Sequence, residues 1–516
     1  MRQVFLISDL HLGGPPDVWN ADDTIKQTGF QICNAYADLH DFVHWVMDLG
    51  EMATPEQVEL VVNGDIVDFL AENEPPEDRA RTFLSDQDRV ITKLDKIVER
   101  TRVVAGEGFF DALRLFLAKG HRLTFVLGNH DVELSLPRVR RHLEQEILES
   151  EGKLFRFVYD GEAYSIGKLV IEHGNRYDCW NQIDYSGLRQ ERSALSRGIL
   201  VPEEMRTKFL FVAPPGTFLV IQFMNTIKSR YRFVDLLKPE TSAVIPLLLA
   251  LEPSLLKNLI RIMEIGQIGG ALLQRGVDED GVTKRSGDLK AQGCTPASTL
   301  EAVLTYELGG DDAALFLNGD QTTSGDLAAV EGHPVRAWLE AAYSSLSEKA
   351  SSLSKLIRSE VTDQVTKKLR IALQRLNAKS LDFEVNTEGG ETYLDAARRL
   401  TRDGRAEVVV FGHTHLPKDV RLGDGDFPRY LNTGTWADVM KLPDAVLAEG
   451  LAGDAALEEF LDAIRANNFG KYVKRFLSYV EVCVKDNGDG NVESARLYSF
   501  CGKGSAREKP LTNRLG

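Results

Sequence analysis

Short apolar runs recur along the first third of the chain and again near its end, and each breaks at a polar, glycine-containing stretch. Val4-Phe5-Leu6-Ile7 is uninterrupted, as a central strand covered on both faces requires. Leu60 to Val62, Arg122 to Leu127, Phe155 to Val158, Tyr164 to Ile166, Leu169 to Glu172 and Glu407 to Phe411 read the same way, and Tyr430 to Trp436 reads as a strand and tight turn. Ile32, Ala35, Leu39, Phe42, Val43, Val46 and Met47 stand at helical spacing and predict a helix over 31–50 that covers the sheet. His40 and His44 lie on that helix and are read as structural or solvated. A charged helical stretch from about Asp86 to Lys119, broken near Gly106 and Gly108, and a helix from Tyr393 to Leu400 complete the alternation. Val480, Val482 and Val484 alternate with polar residues, and Asp486 to Gly490 leads into Val492 to Phe500, which predicts a hairpin.

From roughly Trp180 to Gly390 the pattern changes to mostly helical. Phe218 to Ile227, Val244 to Leu251 and Leu255 to Ile268 suit buried helices or a lid. The polar breaks Lys238-Pro239-Glu240 and Glu252-Pro253 leave only about ten apolar residues at a time, short of the ~20 that cross a bilayer. Val335 to Ala378 has the stripe of an amphipathic helix or helix pair, best explained by core packing. The expected organisation is a core in two parts, 1–185 and 396–500, a helical insertion (cap or lid) at 186–395, and a polar, basic, flexible tail at 501–516.

Composition narrows the class. A chain of 516 residues with 43% hydrophobic and 27% charged residues suits a soluble protein of more than one domain. A net charge of −16 argues against a surface built to grip a long nucleic-acid backbone. Five cysteines without a CxxC pair indicate neither a disulfide framework nor a zinc knuckle. With no secretion signal visible, the expected location is cytoplasmic.

The candidate chemistry lies where the strands end. Asp9 and His11 follow the first, Asp65 follows the second, and Gly128-Asn129-His130-Asp131, His173 and Gly412-His413-Thr414-His415 follow later ones. Ligands collect at the carboxyl ends of strands in open α/β sheets. Carboxylate, imidazole and an amide oxygen are donors for hard or borderline divalent cations. Asp9 and His11, two apart, share a side in an extended segment and can reach one ion. Asp65 is the candidate for a carboxylate shared by two ions. His130, adjacent to Asn129, is expected to face the substrate as a catalytic residue that stabilises charge on a leaving oxygen or protonates it, with Asp131 orienting it. Asn129 and Arg176 are candidates for substrate contact.

In the order of these motifs the chain resembles the calcineurin-like metallophosphoesterase superfamily. The resemblance covers about 1–185 and 395–500 and leaves the insertion unexplained. It implies an α+β fold, a four-layer αββα β-sandwich flanked by helices with a large, mostly helical insertion, and a site in the loops at one end. It also implies a binuclear centre, with Asp9, His11, Asp65 and His415 on one ion and Asp65, Asn129, His173 and His413 on the other. The ions expected are Mn, or alternatively Fe, Zn or Co. The implied activity is that of a metal-dependent phosphoric ester hydrolase, acting on a phosphomonoester, phosphodiester or pyrophosphate through a metal-bridging hydroxide. A phosphorylated small molecule or lipid-linked substrate is the expected partner. A nuclease acting on DNA or RNA and a non-catalytic scaffold of the same fold are the alternatives.

Overall fold

The side chains of Val4 to Ile7 are all fully buried, and their alternation organises the architecture. Phe5 and Ile7 join a core shared with helix α1 (Tyr36–Gly50), whereas Val4 and Leu6 join a second core on the opposite face. Both faces of this strand are therefore covered, which is why its sequence shows no polar alternation. Burying each such side chain stabilises the fold by roughly 1.5–3 kcal/mol. The structure is a computed structural model that describes residues 1–19, 25–27, 29–50, 58–72, 82–150, 154–178, 181–199, 211–228, 230–238, 384–388, 391–486, 489–502 and 509–511, with Leu247, Leu251 and Leu373 as isolated positions.

The main strands are β1 (Arg2–Ile7), β2 (Val58–Asn63), β3 (Arg122–Val126), β4 (Phe155–Val158), β5 (Tyr164–Ile166), β6 (Leu169–Ile171), β7 (Val408–Phe411), β8 (Pro417–Arg421), β9 (Arg429–Thr433), β10 (Ser478–Val484), β11 (Val492–Ser499) and β12 (Lys509–Pro510). They form a seven-stranded sheet ordered β12-β11-β10-β1-β2-β3-β4 and a five-stranded sheet ordered β8-β9-β7-β6-β5. In the first sheet β1, β2, β3 and β4 run parallel, with β10 antiparallel beside β1. In the second, β6, β7 and β9 run parallel. Parallel strands align their carboxyl ends along one edge, so the loops after β1, β2 and β3 emerge together, as do those after β6 and β7.

Among the described residues, three hydrophobic clusters account for the packing. One unites Phe5, Leu60, Val62, Leu123 and Phe125 with α1, α2 (Gln87–Arg100) and α3 (Phe109–Ala118). The next joins the other face of that sheet, through Val4, Leu6 and Val61, to Leu169, Ile171, Val408, Val410 and Leu431 of the second sheet. The last covers Val409, Phe411 and Tyr430 with Ala396 and Ala397 of α4 (Glu391–Thr401). The predicted hairpin is the β10–β11 pair. The structure adds β8, whose Lys418, Asp419 and Arg421 hide its strand character, and a helix Leu451–Arg465 with Leu457, Phe460, Leu461 and Ile464 buried along one side.

Most of the expected insertion, including 255–268 and 335–372, lies outside the described residues. Of the remainder, Tyr185–Leu195 and the turns between Pro215 and Lys228 are helical, and Leu237–Lys238 pairs with Met440 and Lys441. Among the described residues, no helix is long and apolar enough to cross a membrane.

Candidate metal centre

The loops after β1, β2 and β7 turn away from extended backbone, although an extended segment was expected for Asp9-x-His11. Asp9, His11, Asp65, His413 and His415 all have positive φ, between 44° and 69°. This left-handed region costs an ordinary residue about 1–2 kcal/mol, though Asp and His tolerate it better than most. The turns are held by hydrogen bonds that prolong the β1–β2 pairing: Asp9 N–H donates to Gly64 O, His11 N–H to Asp65 O and Leu12 N–H to Ile66 O. Five left-handed positions among the candidate ligands are strain concentrated where side chains must converge.

The two sheets are stitched together at the same edge. His173 Nδ1 donates to Asn63 O at 2.8 Å, and Asn63 Nδ2 donates to Glu172 O at 2.8 Å. His413 N–H donates to the Asp9 carboxylate at 2.9 Å, while Gly412 N–H donates to His173 O. A Cβ at Gly412 would stand 2.7 Å from Asp9 Oδ2, and one at Gly128 would stand 2.1 Å from Asp65 Oδ1. Glycine at both positions is a matter of space for a carboxylate.

The donor atoms fall into overlapping groups. Asp9, His11 and His415 bring ligand atoms within 4.8 Å of one another, as do Asp65, His173 and His413, and also His11, Asp65 and His130. His415 Nε2 lies 2.9 Å from His11 Nε2 and 3.5 Å from Asp9 Oδ1. Asp65 Oδ1 accepts the His130 N–H at 2.8 Å. Its Oδ2 lies 3.2 Å from His173 Nε2 and 3.8 Å from His11 Nε2, next to both groups. Asn129 Oδ1 is buried with no hydrogen-bond partner among the described residues, an arrangement that a cation would relieve. These donors fit divalent cations.

The family model described as calcineurin-like phosphoesterase matches residues 2–218. That stretch matches the calcineurin-like metallophosphoesterase superfamily. This is a family of metal-dependent phosphoester hydrolases, and the clusters of His and Asp suit its chemistry. A comparison with curated proteins returned no match. The matched stretch ends well before His413 and His415, which the pairing of β7 with β6 brings beside the other candidate ligands.

Electrostatics within the domain show how much charge the cluster holds. Burial opposes ionisation of Asp65, but the imidazoles of His173 and His130 outweigh it and hold the carboxyl far below its usual range. Burial also opposes a charge on His173, yet the adjacent Asp65 raises it to about 10. Burial raises Asp9, whereas Asp68 is held low against its burial by His130 and His11. His415 is driven well down by burial, then by Lys238 and His11. Without a cation, the proton that Asp65 favours on His173 offsets carboxylate charge, and an ion bound there must displace it.

The surrounding groups differ from those anticipated. Both oxygens of Asp131 accept backbone N–H groups, from Ile66 and Gly128 at 2.7 Å each. Burial, then the Asp65 charge, pushes its carboxyl up to about 7. At His130 Nδ1 the structure places Asp68 Oδ2, 3.3 Å away, and the same oxygen lies 3.3 Å from His11 Nδ1. Arg176 donates to Gly161 O and pairs with Glu172 at 3.6 Å. Asp178 Oδ2 sits 3.0 Å from His413 Nε2, leaving Nδ1 as that ring's other donor atom. Asp68, Asp178 and Lys238 were not sequence candidates. Asp68 follows Asp65 by three residues and so had a positional signal, whereas Lys238 read only as part of a polar break.

Proposed function

We propose that the domain is an active binuclear phosphoesterase hydrolysing a phosphomonoester, phosphodiester or pyrophosphate. The observation that supports this most directly is the place of Asp65 Oδ2 between His173 on one side and His11 on the other. Asp9, His11, Asp65 and His415 would hold one ion, and Asp65, Asn129, His173 and His413 the other, with Mn expected and Fe, Zn or Co as alternatives. Two such ions supply a water of lowered pKa and a clamp on the phosphoryl oxygens. His130 gives a proton to the departing oxygen, with Asp68 holding its Nδ1 side. Asp131 clamps the Asp65 and Asn129 loops together, and Arg176 buttresses the loop after β6. The three hydrophobic clusters support a four-layer αββα stacking, and the insertion, joined to the core at both ends beside ligand-bearing loops, would be a cap over the site.

The test is hydrolysis by the full chain, stripped of metal and reloaded with Mn, of p-nitrophenyl phosphate, bis-p-nitrophenyl phosphate, alkyl phosphodiesters, nucleotide pyrophosphates and nucleic acid. Activity that vanishes with chelator and returns with Mn is expected, with small esters or pyrophosphates preferred. Turnover of nucleic acid alone would favour the nuclease. A folded chain holding two ions per molecule and cleaving nothing would favour the scaffold. His130→Ala should leave both ions bound and cost on the order of 10²-fold in kcat on an alkyl ester, clearly less on a nitrophenyl ester.

A further inference from the structure

Helix α1 was expected to carry His40 and His44 as structural or solvated residues. Their four-residue spacing places both on one side of the helix, and their ring centroids are 4.5 Å apart. The third participant comes from the loop that precedes α3, which packs on α1. Glu107 Oε2 lies 3.8 Å from His40 Nε2, and ligand atoms of His40, His44 and Glu107 all lie within 4.8 Å of one another. We propose that His40, His44 and Glu107 form a third cation site, a zinc-type site of two imidazoles and one carboxylate, separate from the cluster around Asp65.

A second observation points to the same ligand. His40 is buried, and among the described residues its Nε2 has no hydrogen-bond partner. Its Nδ1 lies 3.2 Å from Asp41 Oδ1. A carboxylate behind Nδ1 keeps the proton there, so the lone pair is on Nε2, facing Glu107; metal-bound histidines are commonly supported in this way. Buried imidazole nitrogens without partners are costly, and the 3.8 Å separation is too long for a hydrogen bond to Glu107. Bonds of about 2.0–2.1 Å in a tetrahedron put ligand atoms roughly 3.3 Å apart, so closure requires a contraction of up to about 1.5 Å. Glu107 can supply it, since its side chain is 67% exposed and free to change rotamer. The same exposure leaves a coordination position for water. Two imidazoles and one carboxylate favour zinc or cobalt over calcium or magnesium. A bound ion would staple α1 to the start of α3.

The test uses the full chain stripped by chelator and titrated with Zn²⁺ and, separately, Co²⁺. Variants are His40→Ala, His44→Gln and Glu107→Gln. Zinc per chain after desalting and the visible d–d bands of tetrahedral Co²⁺ are the readouts. The wild type should hold one more Zn²⁺ per chain than His40→Ala or His44→Gln. Glu107→Gln, a change at an exposed side chain that should not disturb folding, should weaken that ion by on the order of tenfold or more. Equal zinc counts in the wild type and all three variants, or cobalt spectra that the substitutions leave unaltered, would overturn the site. The comparison is a difference between chains that share the Asp65 cluster, so it does not depend on whether that cluster catalyses anything.

Discussion

Asp68→Asn separates the role of the inner carboxylate from that of the ligands. One oxygen of Asp68 accepts the Ala71 N–H at 3.0 Å, and the other lies 3.3 Å from Nδ1 of both His11 and His130. An asparagine that keeps its oxygen on Ala71 must turn its NH₂ toward two ring nitrogens. Each ring then presents a lone pair at Nδ1 and moves its proton to Nε2. For His11 that atom is the one grouped with Asp9 and His415, so the substitution removes a donor without touching it. If the amide flips instead, NH₂ faces the Ala71 N–H and a hydrogen bond worth about 1 kcal/mol is lost. Loss of a carboxylate behind a ligating histidine typically costs 10–100-fold in metal affinity or activity, or about 1.4–2.7 kcal/mol. The measurements are Mn²⁺ affinity by titration of the stripped chain, and kcat on alkyl and nitrophenyl esters at saturating Mn²⁺. We expect weaker binding of one ion, and at saturation a larger loss on the alkyl ester. Affinity within twofold of wild type together with an unaltered ratio of the two kcat values would refute the dual role.

Asp65→Asn should lower metal content per folded chain at both sites, because an amide cannot supply the shared charge; normal occupancy of both would remove Asp65 from its bridging position. His173, raised to about 10 by Asp65, is protonated at neutral pH in the metal-free chain, so an ion must displace that proton. Affinity should therefore rise with pH, by roughly tenfold per unit per proton between about pH 6 and 8, and a flat profile in calorimetric titrations would contradict the displacement. Gly128→Ala would place a Cβ 2.1 Å from Asp65 Oδ1 and 2.3 Å from Asp65 N. Overpacking of this kind costs about 1–3 kcal/mol. It should lower both thermal stability and metal content, and a variant indistinguishable from wild type would show that the loops have slack there.

The strands and the residue types at their ends were legible in the sequence because both are local properties. Val4 to Ile7 is apolar without a break because β1 has a core on each face, and no distant residue is needed to see that. The helix over α1 and the β10–β11 hairpin follow likewise from spacing within one segment. Tertiary structure decided which loops meet. His413 approaches Asp9 because β7 pairs in parallel with β6, and hydrogen bonds between the loops then bring the two sheets' edges together. The left-handed backbone at Asp9 and His11 could not be read from their spacing, since it is held by carbonyls of the neighbouring loop. Asp68 and Asp131 stand three residues after Asp65 and two after Asn129, yet their tasks are settled by what lies opposite: two imidazoles for one, two backbone N–H groups for the other. The pairing of His40 and His44 is written in helical periodicity, but Glu107 joins them only because α3 packs on α1. Periodicity reports which face of an element is apolar; the partner of a polar side chain depends on sheet register and helix packing, which join residues far apart in the chain.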